Sequence, residues 1–200
     1  MSQQPMFNDL SSPLAYLASR RSGRAREMVG PGPTPDQLEA MIAIAARTPD
    51  HGKLAPWRFV VVSGEQREEL AELLQQALAA NHPESTDAHR QKADDFARSG
   101  QALVVLVSAP VHGHKIPLWE QELSVGAVSM NLLHAAHAQG FVGSWLTGWA
   151  AYDPLVRDSF CTGPHERIAG FFFFGSPARP LEERPRPELA TVVRFWDGRI

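Results

Sequence analysis

Four arginines, Arg20, Arg21, Arg24 and Arg26, crowd a short stretch that also holds Ser22 and Gly23. Guanidinium groups present planar, charge-assisted pairs of donors, which suits them to phosphate. Gly23 lets the backbone come close to a ligand. Taken alone, such a run is more often a solvated, basic helix end, which also suits the helix dipole. A second block, Arg47-Thr48-Pro49-Asp50-His51-Gly52 followed by Pro56-Trp57, joins a helix end to a strand. Loops like this carry function on a rigid frame, although Pro49 and Gly52 also serve as plain punctuation.

Other chemistries fit less well. His112-x-His114 and His134-x-x-His137 have ligand-like spacing, with Glu120 and Glu122 near in sequence. No cysteine pair or HExxH accompanies them, so surface or hydrogen-bonding histidines are the favoured reading and no metal site is expected. The absence of GxSxG disfavours a serine hydrolase. Cys161 is the single cysteine, and a lone cysteine is more often inert than nucleophilic. Neither GxGxxG nor GxxxxGK[ST] occurs, and the Gly30-Pro31-Gly32 turn does not follow a strand. A Rossmann or P-loop site is therefore disfavoured.

Composition narrows the class further. The 200 residues are 44% hydrophobic and 20% charged, as in ordinary globular proteins. A net charge of -3 argues against nucleic-acid binding, where a basic excess is usual. One cysteine cannot form an internal disulfide, which permits a reducing, cytoplasmic setting. The segment MSQQPMFNDL lacks a basic region followed by an apolar stretch, so no signal peptide is expected. The apolar run Val125–Ala138 is too short and too interrupted for a membrane span. One domain over residues 1–200 is the expectation.

The elements that must position these residues follow from periodicity. A first helix starts at Asp9 or Ser11 and ends near Arg20–Arg21. The segment Val29–Pro35 is a loop, since its three prolines and two glycines cannot continue a helix. Thr34, Pro35 and Gln37 form an N-cap, first-turn proline and capping box for a helix to about Arg47. Arg58–Val62 reads as a strand, Glu65–Ala80 and Asp87–Arg98 as helices, and Ala102–Val107 as a strand. Pro117–Gln139 is the longest helix, closed by Gly140. From Leu123 onward it is apolar or small around nearly its whole circumference, which predicts burial on all sides, partly against a second subunit. Gly143–Thr147 and Ile168–Phe174 read as strands, with a short helix over Asp153–Phe160 between them. An extended arm then leads to a terminal strand over Thr191–Trp196, a candidate for pairing with another subunit. The order of strands and helices predicts an α+β fold.

Taken together, these blocks resemble the nitroreductase family, in its compact branch of FMN-dependent NAD(P)H oxidoreductases. The resemblance rests on Arg20-Arg21-Ser22, on Ala45-Ala46-Arg47-Thr48-Pro49-Asp50-His51, and on Pro56-Trp57-Arg58-Phe59. It continues through His114-Lys115-Ile116-Pro117 with Trp119-Glu120-Gln121-Glu122, then Ala138-Gln139-Gly140-Phe141, Gly143, Trp145 and Gly148. It spans about residues 10–175 in one order. It implies a central mixed sheet flanked by helices, in a homodimer with two FMN sites at the interface. The terminal strand would be exchanged, with residues 176–200 packing on the partner.

The resemblance also implies roles. Arg20, Arg21 and Ser22 would bind the FMN phosphate and ribityl chain, and Arg24 would lie at the flavin N1–O2 edge. Arg47 and His51 would complete the site, His51 from the other subunit. Trp145, Leu146 and Thr147 would line the far side of the flavin. Ala135, Ala136, His137, Ala138, Gln139 and Gly140 match a segment linked to the nicotinamide nucleotide. Leu146 stands where relatives can carry a basic residue. Arg179, Arg184, Arg186 and Arg194 are alternative C-terminal partners for the phosphate. Asn81–Arg98 is where a lid would lie. The implied reaction is ping-pong hydride transfer from NAD(P)H through flavin N5 to an electron-poor small molecule such as a nitroaromatic or quinone. A specialised dehydrogenase or reductase of one metabolite, or a flavin-binding protein without turnover, are the rival readings.

Overall fold

The computed structural model describes residues 6–198. Helix α1 (Pro13–Ser19) begins at Ser12, whose side chain accepts from the Ala15 amide. A 3-10 turn at Ala25–Glu27 leads into β1 (Met28–Val29). Helix α2 (Pro35–Ala45) carries the expected capping box, with Thr34 and Gln37 bonded reciprocally. Then come β2 (Trp57–Val62), α3 (Arg67–Asn81), α4 (Asp87–Arg98), β3 (Ala102–Ser108) and α5 (Leu118–Ala138). Gly140, at φ +85°, ends α5 in the left-handed conformation that glycine adopts without penalty. Strand β4 (Val142–Leu146), a 3-10 turn at Trp149–Ala151, α6 (Pro154–Phe160), β5 (Arg167–Pro177) and the single turn α7 (Leu189–Val192) complete the chain.

The sheet is built on β5. Strand β3 pairs along one side of it and carries β2 beyond. Along the other side β4 pairs with Phe171–Gly175 and β1 with Ser176–Pro177. Both central strands are apolar over Ala102–Val107 and Ile168–Phe174 because helices cover both faces of the sheet. Successive side chains alternate between two cores. Leu103, Val105, Val107, Phe171 and Phe173 join α3, α4 and α6. Val104, Leu106, Phe172 and Phe174 join α2 and α5. All four phenylalanines of Phe171–Phe174 are fully buried.

Three expectations are corrected. The α+β class holds, but the sheet is not mixed: each pairing among the described residues is antiparallel. Val29 belongs to β1 rather than to a loop, because the backbone of β5 outlasts β4 and takes a new partner. Thr191–Trp196 is not a strand: it contributes to α7 and then an irregular segment, with Phe195 and Trp196 exposed. Its alternating side chains supply a face, but a strand also needs an open edge beside it, and none within the described chain pairs with it. Within the single chain, Trp119 and Leu123 of α5 remain 67% and 53% exposed, the face expected to meet a second subunit. Its other faces are closed by α2, β4 and the sheet.

Candidate functional site

The arginine loop is positioned from both ends. Ser19 closes α1 by donating its hydroxyl to the Ala15 carbonyl at 2.7 Å. Asn8 clamps the next residue but one, accepting from the Arg21 amide at 2.9 Å and donating to its carbonyl at 3.1 Å. Arg20 Nη1 donates to Ser22 Oγ at 3.3 Å. Gly23 then packs flat on β4: a Cβ there would lie 2.7 Å from Val142 Cγ2, so a side chain would lift the loop.

Arg21, Ser22 and Arg24 line a cavity of about 220 Å³ closed by residues 177–185 of the C-terminal arm. The arm brings acids to the cluster. Arg21 Nε donates to the Glu182 carbonyl at 2.6 Å and lies 3.8 Å from the Glu183 carboxylate. Arg24 bonds Glu182 at 3.0 Å and Glu27 at 3.2 Å. Burial pulls the Arg21 pKa below the ordinary arginine value. Arg186 adds to this and Glu183 opposes it. Arg26 is mostly exposed, 3.8 Å from Glu27. Of the C-terminal arginines, Arg186 reaches the Arg20 carbonyl at 3.3 Å and Arg179 pairs with Glu27.

Behind the loop, a partly buried relay ties α1 to α5 and β4. The Gly143 amide donates to His137 Nε2 at 3.3 Å, so the His137 proton sits on Nδ1. That nitrogen is 3.0 Å from the Tyr16 hydroxyl, which is in turn 2.7 Å from His134 Nδ1. His137 thus donates to Tyr16, and Tyr16 donates to His134. Burial pushes the His137 pKa down to about 3, with help from Arg20 and His134. Burial also pushes the Tyr16 hydroxyl up to about 12 against the pull of Arg20. The relay is therefore neutral at neutral pH and acts as a structural tie.

The β4 segment faces the loop. Trp145 stacks on Phe172 with ring centroids 5.4 Å apart and donates Nε1–H to the Ala169 carbonyl at 3.0 Å. Leu146 shares a cavity of about 690 Å³ with Arg24. Thr147 is exposed and lines a separate cavity. Arg47 and His51 are not brought to this place within one chain, since they line neither the Arg21 nor the Leu146 cavity. Their loop is anchored to α5 instead. Asn131 donates to Thr48 Oγ1 at 2.6 Å, and His51 Nδ1 lies 2.6 Å from Glu120 Oε2. Arg47 is exposed.

Of the six residues matched to a nicotinamide segment, Ala135, Ala136 and His137 are buried inside the chain. Ala138 and Gly140 reach the surface, and Gln139 donates to the Gln37 carbonyl at 3.4 Å. His112 stacks on His165, and His114 Nδ1 accepts the Ile116 amide. Burial raises the Cys161 thiol pKa.

Three positioning features escaped the sequence reading. Tyr16 carries no motif and matters only through its two histidines. The Glu182 and Glu183 contacts depend on how the arm folds back. Gly170 was visible in principle: a glycine inside Ile168–Phe174 signals a close approach. A Cβ at Gly170 would overlap the Trp145 indole, so this glycine makes room for that ring.

Known proteins resemble this chain along most of its length. The model of the Nitroreductase family matches residues 17–176. YdjA of Escherichia coli (strain K12), a candidate NAD(P)H nitroreductase by name, is 37% identical over 165 residues, 82% of this chain and 87% of its own. A similarly named Haemophilus influenzae protein is 30% identical over 174 residues, covering 86% and 92%. A nitroreductase-like protein from Bacillus cereus superposes with a TM-score of 0.79 at 19% identity, over 96% of this chain and 100% of that one. A candidate nitroreductase from Desulfovibrio desulfuricans, solved in complex with FMN, gives 0.69 at 16% identity over 93% and 98%. At such identities the superpositions show the shared fold.

Proposed function

Because the chain belongs to the nitroreductase family, we propose that it is an FMN-dependent NAD(P)H oxidoreductase that passes two electrons to an electron-poor small molecule, such as a nitroaromatic or quinone. The observation that carries this reading is the arginine loop, with Arg21, Ser22 and Arg24 around one cavity and Arg20 held against Ser22. The chemistry of the loop supports a phosphate there. Its guanidinium groups already hold the arm's acidic residues through charge-assisted contacts, the chemistry a phosphate would use.

FMN, when bound, supplies the hydride chemistry. The chain supplies position and charge. Arg20 and Arg21 would hold the phosphate and Ser22 would donate its hydroxyl to the phosphate or the ribityl chain. Arg24 would release Glu182 and set a fixed positive charge at the N1–O2 edge, where negative charge grows on reduction. Trp145, Leu146 and Thr147 would form the far wall. Leu146 brings no charge, and Arg24, Arg26, Lys92 and Arg98 are the cations of the cavity it lines. Of the nicotinamide segment, Ala138, Gln139 and Gly140 are the part accessible to NAD(P)H. For a nitro acceptor the balance is simple: hydride from NAD(P)H and a proton from water convert the nitro group to nitroso, and one oxygen leaves as water.

The working unit in this reading is a homodimer. Arg47 and His51 stand apart from the arginine loop in one chain, and a second copy would supply them. The exposed Trp119 and Leu123 of α5, with Leu14 and Leu17 of α1, offer the apolar surface such a pairing needs. Among the described residues no helix is long and apolar enough to cross a membrane. The decisive experiment is an absorption spectrum of the purified protein followed by NADH and NADPH oxidation with and without a nitroaromatic. A colourless protein that neither takes up added FMN nor oxidises either nucleotide refutes the proposal.

A further inference from the structure

Helix α4 separates two cavities. Lys92 and Phe96 line both the one shared by Arg24 and Leu146 and a second one, of about 380 Å³, that opens toward α3. The floor of the second is apolar, with Leu74 and Leu78 buried on α3 and Ala93 buried on α4. Two aromatic residues, Phe96 and Trp149, complete its walls. Its volume lies near the lower end of the roughly 300–1,000 Å³ typical of small-molecule sites, which suits one ring better than a fused system.

Its polar groups are few and mostly donors. Lys92 makes no ion pair or hydrogen bond among the described residues. His89 lies one turn before it on the same helix face. The Thr86 amide donates to His89 Nδ1 at 3.1 Å, which leaves the His89 proton on Nε2 as a second donor. His82 lines the cavity as well, but it is engaged elsewhere, 3.3 Å from the buried Asp153 carboxylate and 3.7 Å from Glu84. Glu84 is the one carboxylate in the lining, and His82 sits beside it. An apolar slot with aromatic walls, an ammonium and an imidazole N–H one turn apart fits an aromatic ring that carries a carboxylate.

We propose that the cavity between α3, α4 and the Thr147–Ala150 turn is a binding site for a one-ring aromatic carboxylate. Lys92 and His89 hold the carboxylate, and Phe96 and Trp149 hold the ring. The site is distinct from the Arg21 cavity and adjoins the proposed flavin wall at Thr147. Since Lys92 and Phe96 belong to both cavities, occupancy of one is felt in the other.

The test is a tryptophan-fluorescence titration of the protein as purified with benzoate and with benzamide, its neutral counterpart of the same shape. Benzoate is expected to bind about tenfold or more tightly than benzamide, the effect of one charged hydrogen bond. The Lys92→Met variant should lose that preference while still binding the ring weakly, and Trp149→Phe should lose the fluorescence response. Circular dichroism should be unchanged in both. Equal binding of the two probes, a preference that survives Lys92→Met, or no saturable response to benzoate overturns the proposal. So does loss of flavin from Lys92→Met, which would make that lysine a flavin ligand instead.

Discussion

Replacing Arg21 by alanine is the sharpest probe of the arginine loop. Its side chain is 17% exposed and its guanidinium is oriented by the Glu182 carbonyl and the Glu183 carboxylate. A charged hydrogen bond to a phosphate contributes about 1.5–3 kcal/mol. Against this stands the contact the phosphate would displace. Glu183 is 59% exposed, and pairs of that kind contribute about 1 kcal/mol or less. The difference, about 0.5–3 kcal/mol, corresponds to roughly 2- to 150-fold weaker FMN binding. Arg21→Lys should fall between wild type and Arg21→Ala, because it keeps the charge and loses the fork. Arg26→Ala should stay within about twofold of wild type, since Arg26 is 76% exposed and does not line the Arg21 cavity. Quenching of FMN fluorescence on titration with apoprotein measures all three. If Arg21→Ala binds FMN as tightly as wild type, or Arg26→Ala is as damaging, the phosphate assignment fails.

Other outcomes follow from the same geometry. Gly170→Ala should displace the Trp145 indole and cost about 1–3 kcal/mol, as over-packing does. Near-ultraviolet circular dichroism and a urea melt will show it, and an unchanged spectrum refutes the packing. Asp153→Ala should cost about 2–4 kcal/mol. It removes the N-cap of α6, whose amides at Leu155 and Val156 bond the carboxylate, and strands the Asn81 amide. A urea midpoint shifted by less than about 1 kcal/mol at unchanged slope contradicts this. Burial would raise the Asp153 pKa, but hydrogen bonds from Val156, Asn81, Leu155 and His82 outweigh it and hold the pKa below 3.8. Its contribution is therefore present above that value and lost as pH falls through the folded pKa.

His137 gives a second pH window. Its folded pKa, about 3, lies below the ordinary 6.5 because of burial, so the unfolded chain binds the extra proton first. Stability should fall by about 1.4 kcal/mol per unit as pH drops from 6.5 toward 3. His137→Gln should flatten that slope in chemical melts between these limits. An equal slope in the two proteins counts against a buried neutral imidazole.

Local chemistry made much of this fold legible. The Thr34-Pro35-Gln37 cap, the stop at Gly140 and the apolar runs at Ala102–Val107 and Ile168–Phe174 each depend on neighbours in sequence, and each element formed where they predict. The order of the arginine, Arg47–His51 and Trp145 blocks likewise pointed to the family without any coordinates. What neighbours in sequence cannot encode is which edge a strand meets. Val29 gained a partner because β5 runs past β4, whereas Thr191–Trp196 alternates correctly and meets no edge in its own chain.

The arginine cluster shows the same division. Residue type and spacing alone made it a candidate for phosphate, and no fold was needed for that. Only the tertiary structure set Arg21, Ser22 and Arg24 around one cavity, brought Glu182 against Arg24, and left Arg47 and His51 outside. Hydrogen-bonding capacity belongs to a side chain wherever it stands. Convergence depends on contacts between segments more than a hundred residues apart, and packing decides those.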